Sequence, residues 1–254
     1  MRLTPIRIAA LAACVLLFPL TAYAEAEDGA GVKAMIAKIK AAQKAPDRTG
    51  LDGAVAGAAD LHNGLKTPAL RKQILAALGK VLKDPKGGSA RSAAAAELGR
   101  VDDAAGAWKQ LGKALPKPKA KEVGPSELAA LKATAAHAPA GAIAPLMKLM
   151  MKSKSYDAAR EAITALGRYG NSKKREAILK EMLTVMGRHH AAAEAAKSNP
   201  KAAGGKRGWQ ELGEVLVASL NELTGAKHAD ADAWLAAWKA NKKKLGAIFT
   251  SPVP

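Results

Sequence analysis

The chain has 254 residues, with 40 Lys and Arg against 22 Asp and Glu for a net charge of +18, and 49% of it is hydrophobic although only nine residues are aromatic. This apolar content excludes a disordered, highly charged chain, and the length is ample for a buried core. One cysteine, Cys14, excludes an internal disulfide framework.

Residues 1–24 place Arg2 and Arg7 ahead of an apolar run from Ile8 to Leu20, then Ala22-Tyr23-Ala24, and acidic Glu25, Glu27 and Asp28 follow at once. The pattern reads as a secretory signal peptide cleaved after Ala24; its apolar run is shorter than the about 20 residues a membrane span needs. Leu11-Ala12-Ala13-Cys14 also fits a lipoprotein signal with Cys14 as the anchor. Against it, Val15-Leu16-Leu17-Phe18 would then begin the mature chain as exposed apolar sequence. Cleavage after Ala24 predicts an exported protein, periplasmic or extracellular, with no cysteine. Removing two arginines and no acids leaves a net charge of +16, shared as +7 over residues 25–125 and +9 over 126–254.

Ala, Leu and Lys dominate the remainder while β-branched and aromatic residues are sparse, which favours helix throughout. The first half, residues 25–115, predicts helices over Gly31 to Lys44, Gly50 to Asn63, Thr67 to Lys83, Ser89 to Arg100 and Asp102 to Leu115. Pro68 directly after Thr67 is a start signal, and Asp84-Pro85-Lys86-Gly87-Gly88 is a stop. Residues 116–125 form a Pro- and Lys-rich linker or loop. Over 126–197 the spacing predicts helices at Pro125 to His137, Ile143 to Met151, Ser155 to Arg168 and Ser172 to Gly187. Tyr156, Ala159, Ile163 and Leu166 share one face while Asp157, Arg160, Glu161 and Thr164 take the other. Residues 198–208, with Asn199-Pro200 and Gly204-Gly205, read as a mobile loop. Residues 209–254 read as a C-terminal helical cap: Trp209, Leu212, Leu216, Leu220 and Leu223 form one stripe, and Trp234 and Trp238 lie one turn apart on a second helix. About eleven helices result, joined by turns short enough to make antiparallel neighbours.

One phrase occurs three times: Ala77-Leu78-Gly79-Lys80, Glu97-Leu98-Gly99-Arg100 and Ala165-Leu166-Gly167-Arg168. Each copy reads as the end of a helix, and its reuse argues for stacked helical units. Ala90-Arg91-Ser92-Ala93-Ala94-Ala95-Ala96-Glu97-Leu98-Gly99-Arg100 and Asp157-Ala158-Ala159-Arg160-Glu161-Ala162-Ile163-Thr164-Ala165-Leu166-Gly167-Arg168 resemble the second helix of a HEAT repeat, and Ile143-Ala144-Pro145-Leu146-Met147-Lys148-Leu149-Met150 resembles a first helix. In that family an arginine seven or eight residues before the Leu-Gly is common; Arg71 and Arg91 stand seven residues before the leucine, and Arg160 six. The resemblance covers residues 67–110 and 140–187. The three glycines are separated by 20 and 68 residues, which departs from a uniform repeat. It implies an all-α fold, a right-handed solenoid of antiparallel HEAT-like helix pairs, with a less regular armadillo-like array as the alternative. Leu223-Thr224-Gly225 followed by Trp234 and Trp238 is similar to endings of exported bacterial proteins of this kind.

Chemistry-bearing patterns are weak. His190 and Glu194, four apart with His189 beside them, supply too few ligands for a metal. Asp102 and Asp103 at a helix start read as caps rather than as an acid–base pair. The methionines at 147, 150, 151, 182 and 186 lie on apolar faces and read as core filling. Lys173-Lys174-Arg175 and Lys242-Lys243-Lys244 could meet phosphates, but the scarcity of aromatics argues against nucleic acid. No residue is assigned a catalytic, cofactor-binding or metal role. The expectation is a non-enzymatic exported scaffold that binds a protein partner through a basic helical surface. A salt-sensitive adaptor for anionic envelope polymers or a membrane surface is the alternative, followed by an enzyme with a dispersed site. Trp234 and Trp238 are expected to cover the open end of the core, or else to form an aromatic ligand platform.

Overall fold

The structure is a computed structural model that describes residues 28–48, 50–199 and 203–249. The expected signal peptide, with its Cys14 and Ala24, lies outside the described residues. Among these the chain is all-α with no strand. Helix α1 covers 28–44. Then come α2 (Leu51–Val55), α3 (Ala58–Gly64), α4 (Pro68–Lys83), α5 (Gly88–Arg100), α6 (Ala104–Leu111), α7 (Pro125–His137), α8 (Ile143–Lys152), α9 (Tyr156–Gly167), α10 (Arg175–Ser198), α11 (Ala203–Thr224) and α12 (Ala231–Asn241). Local chemistry sets the starts. Pro68 and Pro125 occupy first-turn positions, where a missing N–H costs nothing. Asp103 accepts from the Gly106 N–H at 2.8 Å, Ser155 from Ala158 at 3.3 Å and Asp230 from Ala233 at 2.9 Å.

Boundaries move where the sequence signal competes with packing. The helix expected over Gly50 to Asn63 is two, because Gly57 adopts φ 77 between α2 and α3. The helix expected to stop at Gly187 runs to Ser198, and residues 203–208 of the expected loop belong to α11; its residues 200–202 lie outside the described residues. Asp102 to Leu115 contracts to α6, with Asp103 as its cap.

Helices contact their chain neighbours, α4 with α5, α6 with α7, α8 with α9 and α10 with α11. They also contact helices two along: α5–α7–α9–α11 form one series, and α4 meets α6, α8 meets α10 and α10 meets α12 in the other. Trp108 of α6 reaches towards α8 by packing on Gly141, in the turn that leads into it. Two apolar cores result, one from Val32 to Ala133 and one from Leu131 to Ile248. Helix α7 joins them, giving Ala130 and Ala133 to the first and Leu131 and Ala135 to the second.

The repeated Leu-Gly phrase corrects its own reading. Leu78, Leu98 and Leu166 are fully buried, as a shared core position requires. Gly79, however, lies inside α4, which continues to Lys83, and none of the three glycines has a positive φ. Each is instead a point of close approach. A Cβ on Gly99 would sit 3.0 Å from Ala133 Cβ in α7, and one on Gly167 would sit 3.0 Å from the Ser219 carbonyl in α11. A Cβ on Gly79 would meet the Gln110 amide of α6. The phrase therefore marks where a helix touches the helix two positions further on, and it coincides with a helix end only in α5 and α9.

Candidate binding surface

Charge is spread evenly along the sequence but not around the folded chain. On the odd-numbered series basic groups are tied to acids of the neighbouring helix. Arg100 pairs with Asp60 at 2.7 Å, Lys132 with Glu161 at 3.6 Å, Arg160 with Glu211 at 2.5 Å and Arg168 with Glu222 at 3.8 Å. Among the described residues the lysines that form ion pairs are Lys132 and Lys197. The exposed lysines of α1, α4, α6 and α8 are left to solvent.

Those lysines rim three grooves. The first, 420 Å³, runs between α1 and α4. Lys33, Ile36, Ala37 and Lys40 face Gln73, Ala76, Ala77 and Lys80, each set at the three- and four-residue spacing of one helical face. The second, 440 Å³, lies between α4 and α6 and shares Ala76 with the first; Arg71, Lys72 and Lys109 stand over Leu75. The third, 450 Å³, starts just past α6 at Gly112 and Leu115 and extends to Ala144 and Pro145 of α8, with Lys117 and Lys148 at its edge. Among the described residues Asp103 is the one carboxylate lining any of the three, and it is engaged in capping α6. Small apolar floors beneath unpaired lysines can hold an anionic, partly apolar ligand by charge and burial together.

Sequence reasoning missed these residues. The available signal was the pairing of Lys33-x-x-Ile36-Ala37-x-x-Lys40 with Gln73-x-x-Ala76-Ala77-x-x-Lys80, two helical faces of like composition. What hid it is that lysine occurs in almost every helix, and only the fold tells which lysines have acids opposite them.

The residues singled out in the sequence take other places. Arg71 pairs with Asp102 in the α5–α6 turn. Arg91 donates from Nε to the Leu82 carbonyl at the end of α4 (3.0 Å), and Arg160 bonds both the carboxylate and the carbonyl of Glu211. All three link neighbouring elements. His190 Nε2 stands 4.0 Å from Glu194 and 3.5 Å from Asp232, but the Glu194 carboxylate is held by Lys197 at 2.7 Å. Among the described residues no group of three or more His, Cys, Asp or Glu side chains is placed to hold a metal ion. Met150, Met182 and Met186 are buried in the second core, and Met147 and Met151 pack against it. The Lys173-Lys174-Arg175 run divides: the lysines are exposed, while Arg175 is buried with its guanidinium 4.1 Å above the Phe249 ring. Trp234 is fully buried in the second core and Trp238 packs against it.

A polar joint closes the α3–α4 side of the first core. The Asn63 amide donates to the Arg100 carbonyl at 3.0 Å and its oxygen accepts from the Asp102 N–H at 2.9 Å. That orientation makes His62 Nδ1, 3.0 Å from the same oxygen, a donor. The ring is fully buried and its Nε2 has no partner, so burial, aided by the Arg71 charge, holds the His62 pKa below its ordinary 6.5 against the raising effects of Asn63 and Asp103.

No protein-family model matches the chain, nor does any curated protein or solved structure. Among the described residues no helix is long and apolar enough to cross a membrane.

Proposed function

We propose that the chain is a non-enzymatic exported scaffold, a right-handed α-solenoid of HEAT-like antiparallel helix pairs that binds a protein partner along its basic face. The observation that carries this reading is the contact between helices two apart, found in both helix rows and made at the glycine of the Leu-Gly phrase in α4, α5 and α9. An array built this way shares its core only between neighbours and offers one helix row as an extended surface. The grooves beside α4 and α6, with no acid partners for their lysines, supply that surface with relief and charge. Export rests on the N-terminal signal pattern, and the mature chain then begins at Glu25.

Affinity capture on the purified chain from an extract of its own cell envelope tests the reading, followed by reconstitution of any captured protein in purified form. A single protein that rebinds the purified chain at high salt is the expected result. The unpaired lysines also favour a second reading, an adaptor for anionic polymers or a membrane surface. Recovery of polyanions or lipids alone, released as salt rises, would establish that adaptor and overturn the scaffold.

A further inference from the structure

We infer that the lysine-rimmed grooves across α1, α4, α6 and α8 receive an extended, acidic segment of the partner protein, with carboxylates on the lysines and small aliphatic side chains on the groove floors. This inference rests on the scaffold reading and adds to it the face and the chemistry of the partner.

Three observations select this occupant. The rims hold the unpaired Lys33, Lys40 and Lys80, then Lys72 and Lys109 beside an Arg71 already paired with Asp102, then Lys117 and Lys148, against Asp103 as the one lining carboxylate among the described residues. A complementary ligand is therefore anionic. The floors are small and aliphatic: Ile36, Ala76, Leu75 and Ala144. Packed helices lie about 8–10 Å apart, and three residues of polyproline II chain rise about 9 Å and return to the same side, so one aliphatic side chain every third residue meets successive grooves. Among the described residues, no aromatic ring lines any of the three grooves. Nucleic-acid bases would find nothing to stack on, and a sugar–phosphate chain has no aliphatic groups for the floors. A membrane surface favours projecting apolar groups, whereas here the apolar atoms lie at the bottom of clefts.

The test is fluorescence anisotropy of the purified full chain with a labelled peptide of repeated Glu-Glu-Val triplets at about 0.15 M salt. Gln-Gln-Val and Glu-Glu-Gly peptides, inorganic polyphosphate and phosphatidylglycerol vesicles serve as comparison probes. The groove variant carries Lys72→Glu, Lys80→Glu and Lys109→Glu. A control with the same net charge carries Lys173→Glu, Lys174→Glu and Lys227→Glu. All six lysines are exposed, and thermal melting of both variants verifies that they fold.

The expected result is that Glu-Glu-Val binds best and that the groove variant loses about tenfold or more in affinity while the control loses about twofold or less. Equal losses in the two variants would overturn the inference, since net charge alone would then explain binding. Binding of polyphosphate or vesicles without Glu-Glu-Val would overturn it in favour of another class of partner. A reconstituted partner protein that binds the groove variant as tightly as the native chain would overturn the groove assignment while leaving the scaffold intact.

Discussion

Gly99 in α5 and Ala133 in α7 meet so closely that a methyl group at position 99 would lie 3.0 Å from the Ala133 Cβ and 3.1 Å from its Cα. The equivalent contact at Gly167 is with backbone, the Ser219 carbonyl oxygen at 3.0 Å and its Cα at 3.1 Å. In an exposed helix, alanine is favoured over glycine by about 1 kcal/mol. Here the overpacking cost of about 1–3 kcal/mol works against that gain, and more so where the neighbour is backbone. Gly167→Ala is expected to lower stability by about 1–2 kcal/mol, or about 2–8 °C in Tm for a chain of this size. Gly99→Ala should lose less, and Ala133→Gly in the same chain should recover part of that loss. Gly187 in α10 is the contrast: its added Cβ would meet Leu235 at 3.6 Å and Trp238 at 3.7 Å, ordinary contact distances. Gly187→Ala should raise Tm, and calorimetry of the set reads all of these outcomes.

Glu97 is expected to behave as a cap for a helix other than its own. It lies in α5 and is buried, yet its Oε2 accepts from the Ala59 N–H at 2.7 Å, at the start of α3, where Gly57 offers no side chain. Its Oε1 accepts from Arg100 at 3.0 Å. Glu97→Ala leaves a buried N–H without a partner and should cost about 2–3 kcal/mol. Glu97→Gln keeps an oxygen for Ala59 and should cost less. The urea midpoints of the two variants, with the m-value unchanged, measure the difference.

These two relationships show what the sequence could and could not convey. The faces of α9 were legible because Ala159, Ile163 and Leu166 recur at helical spacing, and all three are buried. The meaning of the glycines was not, because glycine at a helix end and glycine beneath a crossing helix look alike until the neighbour is known. Gly187 misled in the same way. Its low propensity suggested an end, but the Ala-rich residues beyond it and the contacts with α12 carry α10 on to Ser198. The odd-series ion pairs depended on partners such as Glu211, 51 residues from Arg160, so no local pattern could separate paired cations from the free lysines of the grooves.

Stability should fall as pH drops from neutral into the weakly acidic range. His62 is neutral in the folded chain, with its pKa held below 6.5 first by burial and then by Arg71. His189 is shifted in the same direction, by burial and by Arg188. An unfolded chain takes up these protons at about pH 6.5, before the folded chain does, so it binds more protons between the folded and unfolded pKa values. The stabilisation is complete above that range and is lost as pH falls through it. Urea midpoints measured from pH 7.5 to pH 5 should decline, and His62→Gln should flatten the profile. An unaltered slope in His62→Gln would place the proton uptake elsewhere, with His189→Gln as the next variant to measure.

Trp234 should be required for its bulk and not for its indole N–H. The side chain is fully buried in the second core, His228 packs edge-on to it at 4.5 Å, and its Nε1 has no hydrogen-bond partner. Truncating a buried tryptophan to alanine removes contacts on every side and costs about 3–5 kcal/mol. Phenylalanine keeps most of that contact and relieves the structure of an unsatisfied buried donor. Trp234→Phe is therefore expected to lose less than half of what Trp234→Ala loses in thermal melts. Trp238, partly exposed on the same helix and in contact with the second core, should fall between them when changed to alanine. If the two rings cover the end of the core, both alanine variants lower Tm and leave affinity for the Glu-Glu-Val peptide at the distant α4 grooves unchanged. A ligand platform would reverse that outcome at Trp238, where loss of the ring would weaken binding of a partner protein with little change in Tm.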